Sequence, residues 1–191
     1  MEKSPGHPRP FLPVKLTRPG LQKTYLRPRL FNILSKVHSQ SALWISGPAG
    51  SGKTTLVNSF LDTEGIDCIW YGVDQTDLDI ASFFYYMGKA WEASFPAASA
   101  SLPLLTPEFL REISIFTKRF FHLFLEPVSS SFAIVLDNYE ATGDGARLHE
   151  ILRDAIDITA GKITLIICSR TLPPAAFARS MANRRLQILG W

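Results

Sequence analysis

The chain has 191 residues, 46% of them hydrophobic and 12% aromatic, which is enough to bury one sizeable core and too apolar for an intrinsically disordered protein. Its net charge of +3 is uneven, because the first forty residues hold eight of the 20 basic side chains but one of the 17 acids, together with six prolines. Prolines interrupt the basic residues of this segment, and no regular run of aromatic rings is interleaved with them. This pattern favours a solvated segment over a surface on which nucleic-acid bases stack. We expect residues 1–25 to be an irregular Pro-rich basic arm, and no specific DNA binding by this chain alone.

Two cysteines, Cys68 and Cys168, each lie within an apolar run typical of a buried strand. Neither has a C-x-x-C partner, so structural burial is expected rather than a metal or redox site. The N-terminus lacks an apolar segment after its charges, and no apolar run of about 18 residues occurs, which argues against a signal peptide or a membrane span. These features predict a cytoplasmic location and no membrane partner.

Hydrophobic periodicity predicts alternating helices and strands along the chain. In order they are a helix over 26–37, a strand over 42–46, a helix over 53–61, a strand over 68–73, a helix over 79–93, a helix starting at 106, a strand over 132–136, a helix over 146–158, a strand over 164–168, a short helix over 175–181 and a strand over 186–189. Thr106 is a potential capping hydroxyl, Pro107 suits the first helical position, and Glu108 is an early acid, so these three residues predict a helix start. The aromatic stripe that follows, from Phe109 to Phe124, predicts a buried face.

Uninterrupted apolar strands separated by helices indicate a parallel sheet covered on both faces, which is a three-layer α/β architecture. The sequence ends at Trp191, directly after the last predicted strand and without a covering helix. We therefore expect the domain over residues 26–191 to be incomplete at its C-terminus, as the front part of a longer protein.

Between the strand over 42–46 and the next helix lies a phosphate-loop motif, with the sequence Gly47, Pro48, Ala49, Gly50, Ser51, Gly52, Lys53, Thr54. It matches G-x-x-x-x-G-K-[ST] at every specified position. Glycines let successive amide protons turn toward phosphate, and the helix that follows directs its positive end at the same anion. Lys53 adds charge for the β- and γ-phosphates, Thr54 offers a hydroxyl to Mg²⁺, and Thr55 supports that end of the loop. The motif predicts binding of a purine nucleoside triphosphate, ATP, with Mg²⁺, and with the predicted sheet it indicates that residues 26–191 are a nucleotide-binding domain with the three-layer P-loop NTPase fold.

Two further candidates follow later strands. Asp137 ends the run Phe-Ala-Ile-Val-Leu-Asp and is predicted to be the magnesium-linked acid, since it follows the loop in the same predicted sheet. Ser169 and Arg170 follow the next strand at the edge where ligands bind in open α/β sheets. Arg170 is either a sensor of the γ-phosphate or a solvated strand-end arginine.

Other motifs are absent or misplaced. The D-x-x-G of small GTPases occurs at residues 62–65, directly after the first nucleotide-binding helix, where it is interpreted as a turn. No N-K-x-D guanine motif and no L-S-G-G-Q motif occur, and the four histidines are dispersed. GTPases, ABC transporters and histidine-based metal sites therefore lose support.

Five ordered segments carry a family resemblance: VKLTRP…YLRPRLFNIL, ALWISGPAGSGKTTLVNSFL, IWYGVDQTDLDIASFFYYM, AIVLDNYEA and LIICSRTLPPAAFARSMANRRLQILGW. Together they resemble the NACHT/NB-ARC-like nucleotide-binding domain of STAND ATPases, with maltose-activator-type and large LuxR-related regulators, or those bearing a bacterial transcriptional activator domain, as the nearest subgroups. The resemblance implies a switch that ADP keeps as a closed monomer and that ATP plus an inducer opens for self-association of the full-length protein and transcriptional control. It also implies that residues 47–55 bind phosphates, that Asp137 is the Walker B acid, that Arg170 is the sensor, and that Arg27 or Arg29 approaches the nucleotide.

One position departs from many members of that family. Where they carry a second acid after the Walker B aspartate, this chain has Asn138, whose amide does not accept a proton from water. Glu140 would face the same side if the extended geometry continued two residues further. We therefore expect slow hydrolysis at most.

Two other functions remain open from sequence. A nucleotide-kinase-like phosphotransferase would need an acceptor pocket and a mobile lid bearing arginines, for which Arg179, Arg184 and Arg185 form the only late cluster. A nonfunctional, truncated remnant is the third alternative.

Overall fold

The computed structural model describes residues 12–20, 27–37, 42–98, 101–128 and 131–190. The described α-helices are α1 (Pro28–Val37), α2 (Lys53–Glu64), α3 (Ile80–Ser94), α4 (Ile113–Leu125), α5 (Leu148–Thr159) and α6 (Ala178–Ala182). The described strands are β1 (Ala42–Ser46), β2 (Asp67–Gly72), β3 (Phe132–Asp137), β4 (Thr164–Ser169) and β5 (Leu186–Gly190). Short 3₁₀ turns occupy Val14–Leu16, Gln75–Leu78, Pro107–Arg111, Tyr139–Thr142 and Ala175–Phe177.

The strands form one five-stranded sheet in the order β2-β3-β4-β1-β5. Every neighbouring pair is parallel, as the continuous apolar runs predict. Strand β4 separates β1 from β3, so the chain segments that follow these three strands emerge side by side at the carboxyl edge. This edge carries the predicted nucleotide site.

Two apolar clusters lie on opposite faces of the sheet, because successive strand side chains alternate between faces. One cluster packs α1 and α2 on alternate residues of the sheet, including Leu43, Ile45, Val135 and Ile166. The other packs α3, α4 and α5 on the opposite set, including Trp44, Ile134, Leu136 and Ile167. The predicted three-layer α/β fold is confirmed.

The aromatic stripe of α4 is buried as predicted, with Phe116, Phe120 and Phe124 fully enclosed in the core. The predicted helix start at Thr106 is wrong. Residues Pro107–Arg111 form a 3₁₀ turn without a side-chain cap from Thr106, and α4 begins only at Ile113. The reason is local, since the backbone of Glu112 leaves helical geometry at φ −123° and ψ 44° and separates the two segments.

The N-terminal segment 12–20 lies against the domain. Leu16 is only 4% exposed and belongs to the main core, so the expectation of a solvated arm does not hold for this stretch. Residues 1–11 and 21–26 lie outside the described residues, and the domain boundary at 25/26 stays a prediction. Cys168 is buried as expected, whereas Cys68 is half-buried. Among the residues described, no helix is long and apolar enough to cross a membrane.

Candidate functional site

The phosphate loop connects the end of β1 to the start of α2. Gly50 and Gly52 adopt left-handed backbone angles, with φ of 74° and 87°, a region that side chains with a Cβ rarely enter. The Gly47 N–H donates to the carbonyl of Ser169 at 3.2 Å, which ties the loop to the end of β4. The motif glycines thus shape the loop, and its position is fixed from the neighbouring strand.

Donors at the start of α2 face this loop. The N-cap residue of α2 is Gly52, so no side chain caps the first turn, and the free N–H groups and the helix dipole favour an anion there. The Ser51 hydroxyl is buried without a hydrogen-bond partner among the described residues. A buried polar atom without a partner is costly, and a phosphate oxygen would satisfy it. The loop therefore fits a phosphate group.

Lys53 extends over the loop. Its Nζ donates to the carbonyl oxygens of Gly47 at 2.7 Å and of Pro48 at 3.1 Å. These two backbone carbonyls hold the charged amine at the loop. Phosphate oxygens are stronger acceptors than neutral carbonyls, so a polyphosphate would take over these contacts.

Asp137 ends β3 and lies directly beside α2. The Thr54 hydroxyl donates to Asp137 Oδ2 at 2.9 Å, and the Asn138 N–H donates to Oδ1 at 3.1 Å. Burial raises the pKa of this carboxyl above its ordinary value, against the opposing effect of both hydrogen bonds. The proximity of Glu140 raises the pKa further, while Lys53 lowers it. An oxygen pair of this kind, hydroxyl plus carboxylate, fits Mg²⁺.

Glu140 and Arg170 are brought together at the ends of β3 and β4. The Nε of Arg170 lies 2.8 Å from Glu140 Oε1, and the Arg170 backbone N–H donates to Oε2 at 3.1 Å. Arg170 therefore has an acidic partner, although 60% of its side chain is exposed.

The route by which Glu140 reaches this position differs from the expectation. Strand β3 ends at Asp137, Asn138 takes a left-handed conformation at φ 60° and ψ 37°, and Tyr139–Thr142 forms a 3₁₀ turn. The extended geometry therefore does not persist to Glu140, and a turn rather than strand alternation directs its carboxylate toward β4. Asparagine tolerates left-handed angles better than most residues, which accounts for Asn138 at this bend.

Arg27 lies beside the loop. Its Nη2 would be 3.5 Å from a Cβ built on Gly52, so this guanidinium approaches the phosphate loop. Arg29 is an exposed residue of α1. Of the two arginines that the sequence offers, Arg27 is therefore the one for which the structure gives a contact with the loop.

Sequence reasoning missed the contacts by which Lys15 and Arg18 attach the N-terminal segment to Asp77 and Asn58. Asp77 is fully buried and Asn58 is 2% exposed. Both residue types are common on solvated surfaces, so nothing local in the sequence marks them as buried. The hydrogen bond that the Trp44 Nε1–H donates to Thr171 O at 2.9 Å was also missed, because the two residues lie 127 positions apart in the chain.

The parallel sheet, the glycine loop between β1 and α2, and the acid at the end of β3 together define a domain with the P-loop NTPase fold. The chain is homologous to MalT-type transcriptional regulators, which confirms the family resemblance. It is 30% identical over 94% of its length to the HTH-type transcriptional regulator MalT of Yersinia enterocolitica, and 29% identical over 88% to that of Vibrio cholerae. The chain spans about a fifth of these regulators, 20% and 18% of their lengths.

No family model matches the sequence. Among solved structures, a chain of Drosophila ORC bound to AT-rich DNA and Cdc6 aligns with a TM-score of 0.51 at 14% identity, covering 85% of this chain and 51% of that one. At this identity the likeness concerns the fold alone. The fold and the homology agree that this chain is a P-loop NTPase-type domain related to one part of the MalT regulators.

Proposed function

We propose that this chain is the ATP-binding switch domain of a transcriptional regulator, with slow ATP hydrolysis. The observation that carries the proposal is the Thr54–Asp137 hydrogen bond of 2.9 Å at the mouth of a loop that also holds Lys53. Phosphate donors, a fixed cation and a magnesium-type oxygen pair thus meet at one edge of the sheet. That combination is what P-loop NTPases use to hold a magnesium triphosphate.

Each part of the site has a role toward MgATP. The backbone N–H groups of residues 47–55, except Pro48, which has none, and the Ser51 hydroxyl would hold the β-phosphate region. Lys53 would neutralise the β- and γ-phosphates. Thr54 and Asp137 would hold Mg²⁺. Arg27, beside Gly52, is the candidate contact from the N-terminal side. Bound Mg²⁺ bridges phosphate oxygens and offsets their charge.

The switch requires the site to distinguish ATP from ADP. Arg170 is the candidate sensor, because the end of β4 lies between the ends of β1 and β3. Its guanidinium is held by the single negative charge of Glu140, and a γ-phosphate carries more charge than one carboxylate. ATP would therefore draw Arg170 away from Glu140, whereas ADP would leave the pair intact. Such a difference in contacts is what allows a ligand to shift a conformational equilibrium.

The remaining parts of the proposal concern the longer protein. Its relatives are named transcriptional regulators, and we expect self-association only in the full-length protein. For this chain alone we expect no sequence-specific DNA binding, and a cytoplasmic location remains part of the proposal.

Equilibrium binding of a fluorescent ATP analogue tests the proposal, with ATP, ADP and GTP as competitors and with Mg²⁺ present or chelated. We expect ATP to displace the probe more effectively than GTP and Mg²⁺ to strengthen ATP binding. The absence of nucleotide binding, or equal displacement by GTP, would refute the assignment of an ATP switch. Circular dichroism of the same sample confirms that the protein tested is folded.

A further inference from the structure

Residues 13–19, here called the N-terminal strap, run along the edge of the sheet. Their 3₁₀ turn, Val14–Leu16, packs against β2, which is the edge strand next to β3. The Lys15 carbonyl oxygen lies only 3.4 Å from the position of a Cβ built on Gly72. An uncovered edge strand is a liability that proteins protect, and the strap covers this one.

One end of the strap is fixed by an ion pair at the end of β2. Lys15 Nζ lies 2.9 and 3.0 Å from the two carboxylate oxygens of Asp77 and 3.1 Å from Asp74 Oδ2. The Asp77 side chain is fully buried and also accepts a 2.6 Å hydrogen bond from the Tyr71 hydroxyl. A buried carboxylate is costly unless it is paired with a cation. The ion pair with Lys15 therefore offsets the cost of burying the Asp77 carboxylate.

The other end of the strap is fixed to α2. Arg18 Nε donates to the side-chain oxygen of Asn58, and Nη2 donates to the Asn58 backbone carbonyl at 2.8 Å. The Asn58 amide nitrogen in turn donates to the carbonyl of Pro19 at 2.5 Å. Asn58 is 2% exposed, so the strap satisfies both polar atoms of a buried amide on the phosphate-loop helix. Asp62, 3.6 Å from Arg18, adds a weaker exposed pair.

The two attachment points belong to the two halves of the phosphate site. Asn58 lies on the helix that begins with Lys53 and carries Thr54 in its first turn. At the other end, Gly72 is in register with Asp137, and the N–H of Val73, the next residue, donates to the Asp137 carbonyl at 2.7 Å. The strap therefore links the helix that carries Thr54 to β2 and the turn that follows it, where Val73 is hydrogen-bonded to Asp137.

We propose that the N-terminal strap is a positioning element of the phosphate site, in which Arg18 and Lys15 fix α2 relative to the ends of β2 and β3. A side chain that holds a catalytic group through a second contact improves its pre-organisation. Arg18 and Lys15 act through Asn58 and Asp77 and touch no phosphate. The part of this inference that concerns nucleotide affinity rests on the proposed function, whereas the part that concerns the position of α2 does not.

Hydrogen exchange on the nucleotide-free full chain tests the position of α2 directly. In Arg18→Ala the amides of α2 around Asn58 are expected to exchange about 10-fold faster, since hydrogen bonds to a charged group are lost, with α5 unchanged. Arg119→Ala, which removes an exposed arginine from α4, is the matched control. Unchanged exchange in α2, or an equal increase throughout the chain, would overturn the inference, the latter because it shows general destabilisation only.

Magnesium dependence supplies a readout that a merely structural role does not move. Arg18→Ala is expected to weaken binding of the fluorescent ATP analogue about 10-fold with Mg²⁺ and much less when Mg²⁺ is chelated, because the Thr54–Asp137 spacing serves the metal. Arg18→Lys keeps the charge but loses the two-point contact, and it should lie between wild type and Arg18→Ala. An affinity that falls equally in both conditions would overturn the positioning role. If wild type binds no nucleotide at all, the proposed function fails while hydrogen exchange still decides the strap.

Discussion

Glu140 and Arg170 hold each other by two contacts, one through the guanidinium at 2.8 Å and one through the Arg170 backbone N–H at 3.1 Å. The candidate base and the candidate sensor are therefore one interacting pair. A group that binds either residue changes the environment of the other. The carboxylate of Glu140 is held by the residue that follows β4, so under the proposed function the pair would connect nucleotide recognition to hydrolysis.

Replacing Arg170 with alanine should reduce the preference for ATP over ADP. The guanidinium is expected to interact with the γ-phosphate, which ADP lacks, so ATP affinity should fall about 10-fold, in the range of one charge-assisted hydrogen bond, and ADP affinity should change little. Competition of both nucleotides against the fluorescent analogue measures the ratio. Arg179→Ala, which removes an exposed arginine of α6, is the control. An equal loss for ATP and ADP would exclude a sensor role.

Replacing Lys53 with alanine should abolish triphosphate binding and leave the fold intact. Among the described residues the amine donates to the carbonyls of Gly47 and Pro48. Its loss therefore removes the positive charge that would bind phosphate and leaves the apolar core unchanged. The nucleotide titration is compared with circular dichroism and with Lys118→Ala, which removes an exposed lysine from α4. Wild-type affinity in Lys53→Ala would contradict the assignment of the loop.

The fold was largely predictable because its signals are local. Continuous apolar strands and helical periodicity identify all five described strands, and the glycine loop fixes where β1 meets α2. The start of α4 was predicted too early for a different reason. Thr106, Pro107 and Glu108 are favourable at the start of a 3₁₀ turn as well as of an α-helix. No sequence signal shows that Glu112 ends that turn.

The site was predictable only where a motif fixes both residue type and spacing. Asp137 was predicted from its place at the end of a buried strand and Arg170 from its place after the next one, and the structure puts both at the carboxyl edge of the sheet, whereas their roles toward nucleotide stay predictions. The pairing of Arg170 with Glu140 depends on the bend at Asn138 and on β4 lying next to β3, which are properties of the folded chain. The strap contacts of Lys15 and Arg18 join residues about forty to sixty positions apart, and no alternation or motif reports such contacts.

Replacing Asp137 with asparagine should stabilise the nucleotide-free protein while weakening MgATP binding. Because burial raises the pKa of Asp137, the folded state binds a proton there more tightly than the unfolded chain does. The ionised carboxylate therefore lowers stability, and this loss grows as pH rises from the ordinary aspartate range through the raised pKa. An amide keeps an acceptor for the Asn138 N–H and a group for Thr54 without carrying the charge.

Thermal unfolding measures this trade-off. Near pH 7 we expect a melting temperature about 2–4 °C higher for Asp137→Asn, the shift expected for about 1 kcal/mol in a chain of this size, with the difference shrinking toward about pH 4. Asp157→Asn, at an exposed position of α5, should show neither effect. A variant that melts lower at neutral pH, or that binds MgATP as tightly as wild type, would contradict this account of Asp137.

Hydrolysis by this chain should be slow, and its remaining activity should depend on Glu140 rather than on Asn138. Asn138 is exposed at a left-handed bend, where an added carboxylate is not directed by strand alternation, so Asn138→Asp should change single-turnover hydrolysis less than about 3-fold. Under the proposed function Glu140 would be freed as a base only when the γ-phosphate takes Arg170, so Glu140→Gln should lower the rate about 100-fold or more, the usual contribution of a positioned base. Glutamine keeps one acceptor oxygen for Arg170 but loses the second, because its amide nitrogen donates rather than accepts. Since no phosphate contact is proposed for Glu140 itself, nucleotide affinity should be largely kept, which separates loss of the base from loss of binding. A rate that rises 10-fold in Asn138→Asp would instead place the missing base at position 138, and fast wild-type turnover insensitive to both changes would refute the coupling of Glu140 to Arg170.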